Sequence, residues 1–209
     1  MEYEIKKATD QIIKAINCDH DGKPNKAVLA GLRKAASITS PHAQIAWPLI
    51  LAHLNEKDIS HTGAPTSGEI AVYTAIHFYA IHQQGLEQSV YVLDKDAQDK
   101  DVQDSRLSFF KALAELSKEK NRQTSVNSRV QLVLATTDTA RVINILSQLV
   151  RLLRSAKKQR KIDYAMLAQD IYGLQGNRSQ ADRIRWHWGE QYFRNNQVTS
   201  KDKGDQNND

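Results

Sequence analysis

The sequence predicts an all-α fold, two packed helical bundles followed by a disordered C-terminal tail. Three observations predict it. Apolar residues recur at three- and four-residue steps through most of the chain. Capping and turn residues, including Ser40-Pro41, Thr66 with Glu69, Asp138 and Asp163, stand where such stretches begin. No alternating run of β-branched residues is long enough to demand a sheet.

In chain order, Ile5, Ala8, Ile12 and Ile16 share one face of a first helix, which stops at Asp19-His20-Asp21-Gly22. After Pro24, Val28, Leu29, Leu32 and Ala35 make a second, with Arg33 and Lys34 beside the stripe. A third is expected from the Ser40 cap through Ile45, Trp47 and Leu51, with Pro48 starting a new segment or kinking it. The loop His61 to Pro65 leads into a capping box at Thr66 and Glu69, then a long apolar helix that Gly85 ends.

The charged, apolar-poor stretch Asp94 to Asp101 reads as an exposed linker. It divides the chain into an N-terminal bundle, residues 1–100, and a C-terminal basic bundle, residues 101–195, with a tail at 196–209. Beyond it, Leu107, Phe110, Leu113 and Ala114 mark one helix, and Val126, Val130, Val133 and Leu134 a shorter one. The helix from Val142 to Leu153 is the strongest in the chain, with Arg141, Asn144, Gln148, Arg151, Arg154 and Lys158 opposite its apolar side. Asp163 opens the next, ending before Gly173, and Ala181, Ile184, Trp188 and Tyr192 define the last.

Composition excludes several classes. The 209 residues are 40% hydrophobic and carry one cysteine, Cys18, which removes disulfide frameworks and multi-cysteine zinc sites and fits a reducing cytoplasmic compartment. No secretory leader pattern and no membrane-spanning apolar run is apparent, so no membrane partner is expected.

Catalytic and cofactor signatures fail on spacing. His77 and His82 are five apart, about 140° around a helix, and do not share a face as a zinc pair would. The aspartate run from Asp94 has Asp99 where a calcium loop needs glycine and Ser105 where it needs glutamate. Neither a phosphate-binding lysine loop nor a dinucleotide glycine fingerprint occurs. No cofactor, metal or enzymatic activity is expected. The aromatics Trp186, Trp188, Tyr192 and Phe193 could stack on bases, but their spacing fits packing of the final helix better.

Charge is the feature that points somewhere. Residues 127–194 carry a net charge of +7 against −1 for residues 1–126. From Thr139 to Ile162 there is no acid at all, whereas a solvated helix face ordinarily mixes both signs. Arg141, Arg151, Arg154, Lys157 and Lys158 are expected along one side of a helix, with Arg129 on a neighbouring one, as a surface for a nucleic-acid backbone.

Several stretches together resemble one family. Gly22 to Lys34, Trp47-Pro48 and Glu69 to Gly85 are similar to the N-terminal half of the CasB family, the small subunit of the type I-E CRISPR Cascade complex. Ile145 to Arg154, Asp163 to Tyr172 and Arg183 to Gly189 resemble its C-terminal half, in the same order. The resemblance implies a non-catalytic subunit of an antiviral ribonucleoprotein that stabilises the crRNA-target R-loop and the displaced strand. It implies as partners the other Cascade subunits, crRNA, the target and displaced DNA strands, and a second copy of the chain. By position it adds Lys111, in a helix where the family has a basic residue, and it supports Arg129, Arg151 and Arg154. The chain departs from the family pattern at Ser128, Asn144 and Phe109-Phe110.

Two rival readings follow from the same residues. One is a helical protein-interaction scaffold whose basic face meets an acidic partner. The other is a helix-turn-helix regulator, for which no clear recognition helix after a tight turn is visible.

Overall fold

The computed structural model describes residues 4–17, 24–91 and 107–201, with side chains through residue 195. Cys18, the Asp94 to Asp101 linker with the boundary drawn at it, the aspartate run continuing to Ser105, and the tail beyond Lys201 lie outside the described residues.

Among the described residues the elements are α1 (Glu4–Asn17), α2 (Lys26–Lys34), α3 (Trp47–His53), α4 (Ser67–His82), α5 (Phe109–Ser117), α6 (Gln123–Ala135), α7 (Thr139–Arg154), α8 (Tyr164–Leu174) and α9 (Arg178–Lys201). Two 3-10 turns, Pro41–Ala46 and Glu56–Asp58, flank α3. No strand occurs among them beyond an isolated parallel bridge between Leu107 and Ile162, so the all-α expectation holds.

The element centred on α4 organises the rest. Its start is the expected capping box: Glu69 N–H donates to Thr66 Oγ1 at 3.1 Å, and Thr66 N–H donates to Glu69 Oε2 at 2.8 Å. From Gly68 to His82 every residue but Ile70 is buried, the condition of a helix surrounded by others. It ends in a turn at Gly85, whose φ of +81° only glycine adopts without strain. There Gln83 serves as a spacer, donating to the carbonyls of Leu86 and Gln88 and accepting from Val90 N–H.

Around α4 lie α1, α2, α7 and α8, while α9 packs on α5, α6 and α8. Apolar packing is therefore continuous from Ile5, Ile12 and Ile16 on α1, through Ile76 and Tyr79 on α4, to Leu167 and Ile171 on α8 and Trp188 on α9. Each such isoleucine or leucine contributes about 1.5–3 kcal/mol by leaving water. Val90 and Leu107 converge on one short strip. Ile162 N–H donates to Val90 O at 2.9 Å, Leu107 N–H to Lys161 O at 3.1 Å, and Asp163 N–H to Leu107 O at 2.9 Å.

Four boundaries differ from the sequence expectation. The helix expected from Ser40 is split: Ser40 makes no side-chain cap, a 3-10 turn runs to Ala46, and Pro48 lies in the first turn of α3, the new segment that Pro48 predicts. The next difference is at Gly173, which sits inside α8 because α9 crosses there; a Cβ at 173 would meet Ile184 Cδ1 at 2.5 Å. Helix α9 continues to Lys201, past Asn195. Helix α7 stops at Arg154, so Lys157 and Lys158 lie beyond it.

Candidate nucleic-acid interface

Helix α7 presents the face that the sequence predicts. Val142, Ile145, Leu146, Leu149, Val150 and Leu153 are buried, while Arg141, Asn144, Gln148, Arg151 and Arg154 are all exposed. At about 100° per residue these five fall within a 140° arc. They form a stripe roughly 20 Å long at 1.5 Å per residue. Its start is fixed by Asp138, whose carboxylate accepts from Ala140 N–H at 2.9 Å.

The end of α7 explains where Lys157 and Lys158 go. Arg122, from the loop before α6, donates to Ser155 Oγ at 2.9 Å and to the Ser155 carbonyl at 2.8 Å. The Ser155 hydroxyl in turn donates to Leu152 O at 2.9 Å. A guanidinium at the C-terminus satisfies carbonyls that no helical N–H reaches and suits the negative end of the dipole. The chain then bends, and Lys157 and Lys158 are exposed in that bend instead of continuing the helical stripe. Arg160, next in line, turns inward to an ion pair with Glu119 at 3.0 Å.

Arg129 sits on α6 and is held in place. Its Nε donates to Gln148 Oε1 at 3.2 Å, and its Nη1 donates to Ser125 Oγ and O at 2.8 and 2.9 Å. These bonds link it to the α7 stripe through Gln148 and leave it half-buried. Lys111 is exposed on α5, the helix that packs between α6 and α9.

A further arginine joins the stripe from the other end of the chain. Arg33, at the end of α2, is pushed below the usual arginine range by partial burial and then by the positive charge of Arg154. On α4, His77 lies beneath this junction. Its Nδ1–H donates to Leu32 O at 2.6 Å, and burial, reinforced by Arg151, pushes its imidazole down, against the opposing pull of the Leu32 bond. His77 thus rests neutral as a packing and spacing residue between α2 and α7. His82 likewise pairs with the Tyr164 hydroxyl at 2.9 Å, and burial, with Arg160, brings it down to about 4. Both histidines are buried outright.

The aromatic group divides in two. Trp188 is fully buried and stacks on Phe110 with ring centroids 4.7 Å apart, and Tyr192 is buried beside it. Trp186 and Phe193 instead face outward. Among the described residues no three His, Cys, Asp or Glu side chains are grouped to hold a metal, and no helix is long and apolar enough to cross a membrane.

Comparison with known proteins gives two findings. The sequence profile of the family described as CRISPR-associated protein Cse2 matches residues 28–193. The crystal structure of CasB from Thermobifida fusca superposes with a TM-score of 0.65 at 21% identity, over 90% of this chain and 97% of that one, a likeness of fold. No curated protein matches.

Proposed function

Because the chain belongs to the Cse2 family of CRISPR-associated proteins, a family of structural Cascade subunits, we propose that it is the non-catalytic small subunit of a type I-E complex that holds nucleic acid along a basic helical face. The observation that carries this reading is the acid-free exposed stripe of α7, Arg141 to Arg154, extended by Arg33 from α2. A surveillance complex in which base pairing reads sequence needs its proteins to read only backbone and shape. Arginines on rigid helices supply that: each stays charged and offers a planar fork to a phosphate.

In this reading Arg33, Arg151 and Arg154 form the centre of the phosphate path, Arg141 and Arg129 extend it along α7 and α6, and Lys157 and Lys158 extend it past the bend. Lys111 is an outlying member. The path supports the crRNA-target heteroduplex or the displaced strand of the R-loop, in a cytoplasmic assembly with the other Cascade subunits and a second copy of the chain.

The test is binding of mixed-sequence single-stranded DNA by the full chain as a function of salt. Each neutralised phosphate contributes about 0.7 to the slope of log affinity against log salt, so a slope of several units that is indifferent to sequence is expected. A flat response favours the scaffold that binds an acidic protein, and strong sequence preference favours a regulator.

A further inference from the structure

We propose that Trp186 is a base-stacking platform on α9, which together with Arg183 and Arg178 engages an unpaired nucleotide at a site separate from the α7 stripe. The inference rests on the nucleic-acid reading above and adds a second point of attachment of a different physical kind.

Trp186 is 78% exposed, more than any other large apolar side chain described. The other two tryptophans are anchored by their indole N–H, Trp47 to Ile38 O at 3.1 Å and Trp188 to Asp170 Oδ2 at 2.7 Å. Among the described residues the Trp186 N–H has no such partner. Trp186 and Trp188 are about 200° apart around α9, so the packing of Trp188 onto Phe110 turns Trp186 to solvent. Leaving an indole in water forgoes the largest apolar burial a side chain offers, and a binding partner recovers it.

The neighbours identify the partner. Trp186 forms one wall of a shallow concavity with Arg178, Ser179, Asp182 and Arg183. Arg183 is exposed, one helical turn from the indole, and has no acid partner among the described residues. Arg178 is almost fully exposed and only loosely matched to Asp182 at 3.8 Å. An aromatic face with cations one and two turns away fits a nucleotide, whose base stacks while its phosphates meet the guanidiniums. The net charge of +7 over residues 127–194 favours the same polyanion. Only an unpaired base can reach the indole, since bases in a duplex are already stacked on each other, so the ligand is single-stranded nucleic acid. On the other side of Trp186, Leu134, Gly189 and Phe193 continue an apolar surface, which is why protein docking must be an outcome of the test.

Stacking and charge pairing respond differently to salt, and this separates them. The full chain and its W186F, W186L and R183A variants would be titrated with fluorescein-labelled oligothymidylate and with a matched duplex across a salt series. W186L should lose about 5- to 100-fold in affinity for the single strand at every salt concentration, with the slope unchanged and duplex binding unaffected. W186F, which keeps a π-face, should stay near wild type. R183A should lower the slope by about 0.7. If W186L binds the single strand as wild type does, the platform is wrong while the α7 path stands. If W186L instead keeps that affinity but no longer assembles with its crRNA-containing complex, Trp186 is a protein-docking anchor and the proposal fails. No single-strand binding by wild type even at low salt would overturn the nucleic-acid reading as a whole.

Discussion

The Trp188 indole N–H donates to Asp170 Oδ2 at 2.7 Å, tying α9 to α8 inside their packing. Burial is the main force on this carboxyl and pushes it up to about 6, against the opposing pull of the Trp188 bond and of His187. The ionised form that prevails at neutral pH is therefore the less comfortable one in the fold.

Asp170→Asn should stabilise the protein at neutral and alkaline pH. Asparagine keeps an acceptor for Trp188 and removes the buried charge. A carboxyl raised from 3.8 to about 6 corresponds to a gain on the order of 3 kcal/mol at neutral pH. Below about pH 3, where both states carry the proton, the gain should vanish. Chemical denaturation of both proteins at neutral pH and near pH 3 measures it, and equal midpoints at neutral pH would show that the carboxylate is not strained.

The pH profile of stability should change shape in the same variant. Asp170 binds its proton more tightly when folded, so its contribution declines as pH rises from about 4 to about 6. His82 does the reverse. Its imidazole titrates near 4 when folded and near 6.5 when unfolded, so stability is lost as pH falls through that interval. His77 adds to the same loss, its imidazole also being pushed down. In wild type these slopes oppose one another between about pH 4 and 6. In Asp170→Asn only the histidine slope remains, and the melting temperature should fall more steeply on acidification.

Arg122→Ala should fray the end of α7. It removes two hydrogen bonds to Ser155, at a cost of about 1 kcal/mol. Hydrogen exchange should accelerate in the last turn of α7 and at Ser155 and Ala156, whose N–H groups donate to Arg151 O and Leu153 O, and not in α4. Exchange that rises everywhere would mean that Arg122 supports the global fold and not this terminus.

Charge and fold should be separable on the α7 stripe. Arg151 and Arg154 are exposed and make no ion pair among the described residues, so their replacement by alanine should change stability by less than about 0.5 kcal/mol. The salt slope for single-stranded DNA should drop by about 0.7 for each phosphate no longer neutralised. The matched control is Lys7→Ala with Lys14→Ala on α1, where Lys14 pairs with Asp10 at 2.6 Å. Equal weakening by both pairs would mean that net charge alone is at work.

What the sequence made legible and what it hid have physical explanations. The α7 stripe was readable because its apolar and basic positions alternate with the helical period, and local periodicity survives folding. Arg33 carries no local sign of belonging to the stripe, because its approach to Arg154 depends on α2 and α7 both packing on α4, a relation between segments over a hundred residues apart. Lys157 and Lys158 continued the pattern on paper, but Arg122 and Ser155 end the helix first. The spacing of Ala181, Ile184, Trp188 and Tyr192 marks the inner face of α9, but nothing local says that this face meets Phe110 or that Trp186 is left to solvent beside it. Spacing named the candidates, and long-range packing sorted them.

The clasp at residues 161–163 has a consequence for how the protein tolerates change. Val90 and Leu107 are both bonded to that strip, so they are pinned side by side by backbone groups that any residue but proline provides in full. The change the clasp does not tolerate is a proline at Leu107, Ile162 or Asp163, which would remove one of the three donor N–H groups.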